Sequence, residues 1–235
     1  MSVMGVFFLA IYSVIALYLW QQGILKSDWL EEGQLAYAPM GSGRNSLSPQ
    51  KVGLCVFLAT AGCVFSLLIA AYFMRQGSPD WQMPALPNIL WANYFLLVLA
   101  SISIQIAYNC ARINDEKISK YWLSLTEIIS VAFLFGQMVA AKQLAGEGVY
   151  TYGNPAASFF FLLTAMHALH LCGGLIALHR TIIKFKFINP AYNVAASVEL
   201  CAIYWHFLLF IWTLLFMLLL GKGDQLGIIC RRILA

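Results

Sequence analysis

Six apolar runs dominate the sequence, at 3–20, 52–74, 90–111, 121–141, 157–178 and 198–220. Each is close to the ~20 residues that an α-helix needs to cross the hydrocarbon core of a bilayer. Backbone N–H and C=O groups find no water there, so each run must bond within itself, as a helix. None shows the in-and-out alternation of a membrane β-barrel. Composition closes the other routes. Of the 235 residues, 61% are hydrophobic and 10% are charged, against roughly a quarter charged in soluble domains. That balance excludes a soluble enzyme, a disordered tail and a nucleic-acid binder. The expected fold is all-α, a polytopic membrane bundle of six transmembrane helices.

The first run has no Lys or Arg before it. It therefore lacks the positive start of a signal peptide and reads as a true first span. Residues 1–50 read as this helix plus an irregular linker, rich in Pro, Gly, Ser and Asn over 39–49. Residues 51–235 read as a five-helix body with a short C-terminal tail. Six spans place both termini on one side. The opposite side carries nine basic residues: Lys26, Arg44, Lys51, Arg112, Lys117, Lys120, Arg180, Lys184 and Lys186. The terminal side carries five: Arg75, Lys142, Lys222, Arg231 and Arg232. The excess marks the cytoplasmic face, so both termini are expected in the periplasm or its equivalent. The net charge of +4 reads as this orientation signal and not as a patch for an acidic partner. The six Cys, at 55, 63, 110, 172, 201 and 230, mostly sit in apolar runs with no CxxC and read as small buried hydrophobes. Gly62, Ala70, Ala71, Ala100 and Ala107 permit close helix approach.

Polar groups inside a bilayer are costly, so each needs a reason. Asn93, Ser101 and Gln105 share one helix face, as do Thr126, Ser130 and Gln137. Hydrogen bonds between helices are one explanation and a transport path is another. Glu127 snorkels to the boundary or pairs with a neighbouring helix, with a proton-carrying role as the alternative. Thr164, His167, His170 and Gly174 form a stripe. Two His at i, i+3 can meet one metal ion, and His170 with His206 can ligate one haem. No carboxylate, third His or Cys joins the stripe locally, which leaves a polar cluster bonded to a neighbour or a lipid headgroup as the plainer reading. Glu199, His206 and Thr213 are each seven residues apart and share a face, flanked by Tyr204, Trp205 and Trp212. These aromatics read as packing. There is no Gly-rich phosphate loop, GxSxG or HExxH.

Several of these residues fall into ordered patterns. Ser158, Phe160, Phe161, Thr164, His167, Leu169, His170 and Gly174 follow S-x-F-F-x-x-T-x-x-H-x-L-H-x-x-x-G. Glu199, Trp205, His206, Phe207 and Trp212 follow E-x5-W-H-F-x4-W, and Thr126, Phe133 and Gln137 follow T-x6-F-x3-Q. Gly53, Phe57, Leu58 and Ala59 open the second run, and Asn93 and Ser101 lie in the third. Over 51–221 the chain resembles subunit III of the haem–copper oxidases, of the cytochrome c oxidase type. It departs from that pattern at three acids, where Ala61, Ala140 and Leu209 stand, and at a glycine, where Ser130 stands. These losses put a proton-storing role at those positions in doubt.

The resemblance implies a non-catalytic accessory subunit in a bacterial inner membrane. Its partners would be the haem–copper core (subunit I), subunit II, small subunits or a larger supercomplex, and membrane phospholipids. It implies no cofactor in this chain, haem and copper in the partners, and bound phospholipid in a cleft between helices. It also implies support of proton uptake and protection of the core during turnover. His167, His170, Glu199, Trp205, His206, Asn93, Thr126 and Gln137 are the expected lipid or interhelix polar contacts. The alternatives are the corresponding subunit of a quinol oxidase or nitric oxide reductase, a small transporter, and a membrane haem protein.

Overall fold

The computed structural model describes residues 49–82, 86–146, 154–187 and 194–222. The first apolar run, the linker before residue 49 and the tail after 222 lie outside the described residues. The helices are α1 (Pro49–Arg75), α2 (Ile89–Arg112), α3 (Glu116–Gly146), α4 (Pro155–Phe187) and α5 (Val194–Met217). A π-helical turn, Leu218–Lys222, continues α5. All five helices are long and apolar enough to cross a membrane, and the described residues contain no strand. The five expected spans after residue 50 are therefore helices. The expected sixth, 3–20, lies outside the described residues.

Two helices far exceed their apolar runs. α3 has 31 residues and α4 has 33, or about 46 and 50 Å at 1.5 Å per residue. The hydrocarbon core is about 30 Å thick. Hydropathy reports that thickness, whereas a helix stops only at a stop signal. At Asn114 the backbone takes a left-handed turn, φ 59°, which Asn tolerates. Asp115 Oδ1 then accepts the Ile118 N–H at 3.2 Å and caps α3. Pro155 occupies the first position of α4, where its missing N–H costs nothing. Asn154 Oδ1 accepts the Ala156 N–H at 3.1 Å, and Asn154 Nδ2 donates to the Gln82 carbonyl at 2.8 Å.

The chain divides into two compact units, Met1–Ala61 and Gly62–Ala235. In the first, the described residues are the opening turns of α1, where the Thr60 hydroxyl donates to the Val56 carbonyl. In the second, neighbouring helices in sequence run antiparallel. Ser119 Oγ donates to the Ala107 carbonyl at 2.9 Å, and Ser103 Oγ to the Trp122 carbonyl at 3.0 Å. Ala100 and Ala107 are fully buried along this α2–α3 seam, where small side chains let backbones approach. Ala70 is buried as well, but Ala71 is exposed. α5 meets α2 through Trp91 and Tyr94 on Phe216, at centroid distances of 4.8 and 5.4 Å. The part of α1 after residue 61 meets α4 through Tyr72 on Phe159, at 5.7 Å.

Apolar side chains gain nothing by leaving lipid for protein, so packing and hydrogen bonds must hold such a bundle. Phe95, Leu99, Ile128, Phe135, Leu169, Ile176 and Phe210 are all exposed, which suits a lipid surround. The cysteines follow the same logic. Of the five that are described, none forms a disulfide, yet only Cys201 is buried and Cys172 is exposed. An apolar run inside a bilayer does not imply burial in protein, because lipid is itself an apolar solvent.

Candidate functional site

The polar residues singled out from the sequence converge on α2–α5 in three arrangements. At the first, His206 projects from α5 onto α2. Its Nε2–H donates to Gln105 Oε1 at 2.9 Å, because that oxygen can only accept. In the neutral ring the other nitrogen, Nδ1, is then the acceptor of the Ser101 hydroxyl. Gln105 Nε2 in turn points to Asn109 Oδ1 at 3.4 Å. The ring remains exposed on its outer side. Both nitrogens of His206 are thus engaged on α2, while His170 Nδ1–H donates to the Met166 carbonyl of its own helix at 2.7 Å. The two imidazoles are not brought together as a haem pair.

The second arrangement ties α5 to α3 and α4. Trp205 Nε1–H donates to Ser130 Oγ at 3.1 Å, with both residues buried. Tyr204 Oη donates to the His170 carbonyl at 2.7 Å. Gly174 lies beneath these rings, and a Cβ there would sit 2.5 Å from Tyr204 Cε1. Thr126, though fully buried, bonds to the Trp122 carbonyl of its own helix at 2.9 Å. Thr164, Thr181 and Thr213 likewise bond back to carbonyls four residues earlier. Their hydroxyls donate within their own helices.

The third arrangement is a buried layer. His167 is completely buried and packs against three rings. Trp212 lies at 4.8 Å, Phe133 at 5.9 Å and Phe65 at 6.5 Å between centroids. Neither ring nitrogen has a hydrogen-bond partner, and the same holds for Asn93 Nδ2, Gln137 Nε2 and Trp212 Nε1. Gly136 gives room to Asn93, whose amide would overlap any Cβ at that position. Among the expected contact residues, His167, Trp205, Asn93, Thr126 and Gln137 are buried. His170 and Glu199 are half-buried and His206 is exposed.

Glu127 is paired with a neighbouring helix. Its Oε1 accepts from His179 Nδ1 on α4 at 2.9 Å. His179 was not singled out from the sequence. The signal for it was there, since a titratable residue inside an apolar helix calls for a partner on another helix. Ala140, one of the positions without the expected acid, is fully buried. Where α1 ends and α4 begins, a cavity of about 660 Å³ is lined by Ala71, Met74, Phe159, Ser158 and the Arg75–Asp80 ion pair. Among the described residues no three His, Cys, Asp or Glu side chains are grouped to hold a metal.

Among the singled-out residues and their neighbours, Ser101, Gln105, Ser130, Tyr204, Trp205 and His206 bond between helices, whereas Thr126 and Thr164 bond within their own. No family model matches the chain. Curated relatives do. The cytochrome c oxidase subunit 3 of Corynebacterium diphtheriae is 31% identical over 175 residues, which is 70% of this chain and 84% of the relative. That of Synechocystis is 29% identical over 174 residues, 71% of this chain and 72% of the relative. The probable cytochrome c oxidase subunit 3 of Nocardia farcinica is 29% identical over 172 residues, 70% and 84% of the two chains.

Proposed function

This chain belongs to the cytochrome c oxidase subunit III family, and from that premise we propose that it is the accessory membrane subunit of a respiratory haem–copper oxidase in a bacterial inner membrane. It carries no reaction centre of its own in this reading. Haem and copper belong to subunits I and II, and this bundle packs beside them, steadying the core and supporting proton uptake while electrons pass to oxygen. Both termini face the periplasm, with the basic loops on the cytoplasmic side.

The observation that carries the reading is how the W-H pair of α5 and the tyrosine beside it are used. Trp205, His206 and Tyr204 each direct a polar group at a neighbouring helix, to Ser130, to Ser101 and Gln105, and to His170. A transporter would call for broken helices near the midplane, whereas α1–α5 are continuous across their apolar lengths. Phospholipid is held at the bundle's rim. The cavity beside Arg75 joins an apolar wall to an ion pair at the end of α1, which suits acyl chains below a polar headgroup.

The test is purification of the tagged chain in mild detergent, followed by a redox difference spectrum and identification of every co-purifying protein. Haem bands arriving with a large haem-binding partner and a copper-binding partner support the reading. The donor-binding subunit recovered with them separates cytochrome c, quinol and nitric oxide systems. A colourless chain purifying alone refutes it.

A further inference from the structure

We propose that the bundle holds ordered water between His167, Trp212, Gln137 and Asn93, so that α2, α3, α4 and α5 are joined at this level through solvent. The argument is a count of donors and acceptors. A neutral imidazole carries one N–H and one lone pair whichever tautomer it adopts. At His167 both nitrogens are enclosed and without a partner. The indole N–H of Trp212 and the amide groups of Gln137 and Asn93 are likewise unpartnered. Buried polar groups are nearly always hydrogen-bonded, to protein or to ordered water.

His167 and Trp212 lie side by side, and Gln137 and Asn93 are reached from them along α3, through Phe133 and Gly136. The Trp212 ring is 4.8 Å from His167, and Phe133 touches both. Gln137 follows Phe133 by one turn on the same face of α3. Gly136, beside it, faces Asn93. Apart from one imidazole nitrogen, every unpartnered group is a donor. The occupant must therefore accept hydrogen bonds, and it must donate at least one. Water does both, and buried waters typically make about three such bonds. Lipid and partner subunits cannot reach His167 and Trp212, which have no exposed surface, and meet little of Asn93 at 1% and Gln137 at 8%. Contacts between N–H groups and aromatic faces are too weak to replace several full hydrogen bonds.

This inference stands apart from the oxidase reading, since it concerns the interior of the bundle alone. The test is solid-state NMR of the full chain in lipid bilayers, with 15N-labelled His and Trp and polarisation transferred from water protons. The His167 ring and Trp212 indole nitrogens should receive it at least as strongly as the ring of His179, which is half exposed. H167F should remove the first signal and weaken the second. If that variant does not fold, His170→Gln, His179→Gln and His206→Gln assign His167 by elimination. Silence at His167 and Trp212 while His179 responds would overturn the proposal.

Discussion

Replacing Gly174 with alanine places a methyl group 2.5 Å from Cε1 and 3.0 Å from Cδ1 of Tyr204, and 3.3 Å from Cζ3 of Trp205. Neither ring can retreat cheaply. Tyr204 is held by its hydroxyl at the His170 carbonyl, and Trp205 by its indole at Ser130. Overpacking of this kind costs about 1–3 kcal/mol. Yielding by Tyr204 would also lose a hydrogen bond worth about 0.6–1.7 kcal/mol between membrane helices. Exchange of Gly for Ala within a helix returns up to about 1 kcal/mol. The expected net loss for Gly174→Ala is about 1–4 kcal/mol. The adjacent glycine is the control, since a Cβ on Gly173 meets nothing within 4 Å. Gly173→Ala should be neutral or stabilise by up to about 1 kcal/mol. Equilibrium unfolding of the purified chain in bicelles by SDS titration, followed by tryptophan fluorescence, reads both. Equal effects at the two positions, or a neutral Gly174→Ala, would refute the close α4–α5 approach.

Gly136→Ala should destabilise α2–α3 packing by a similar amount, and Asn93→Ala in that background should restore most of the loss, since the methyl collides with the Asn93 amide. Ser130→Ala leaves the Trp205 N–H buried without an acceptor and should cost about 1–3 kcal/mol in the same titration. Glu127→Gln keeps an acceptor for His179 Nδ1 in a partly exposed pair, so its loss should stay below about 1 kcal/mol. His206→Ala removes the two hydrogen bonds that His206 makes to α2. It should lower retention of the chain in the purified oxidase while leaving haem absorbance per remaining complex unchanged, and loss of haem bands with the variant would contradict a purely structural role.

Much of the site was legible in the sequence as a set of residues, but little of it as a set of partners. The spacing of Thr126, Ser130 and Gln137 placed them on one buried face, and all three are buried. That spacing could not say that Ser130 receives Trp205 from 75 residues away while Thr126 bonds back to its own helix. Glu127 announced a need for a partner, and His179, 52 residues on, supplies it. The histidines show the gap most sharply. His167 and His170 sit one turn apart in one motif, yet one is sealed among rings and the other bonds to its own helix at the edge of the bundle.

The sequence by itself determined the number and order of the described membrane helices. Apolar length is a local property, and the bilayer imposes helix on any segment that meets it. It also determined which faces avoid lipid, because helical period and the cost of buried polarity act within a single segment. Only the tertiary structure decided where those helices start and stop beyond the hydrocarbon edge, and which polar atom meets which. Those outcomes depend on capping geometry and on distances between segments far apart in the chain. Gly136 and Gly174 illustrate the point. Nothing local requires a glycine at either position until Asn93 or Tyr204, brought from another helix, occupies the space where its side chain would be.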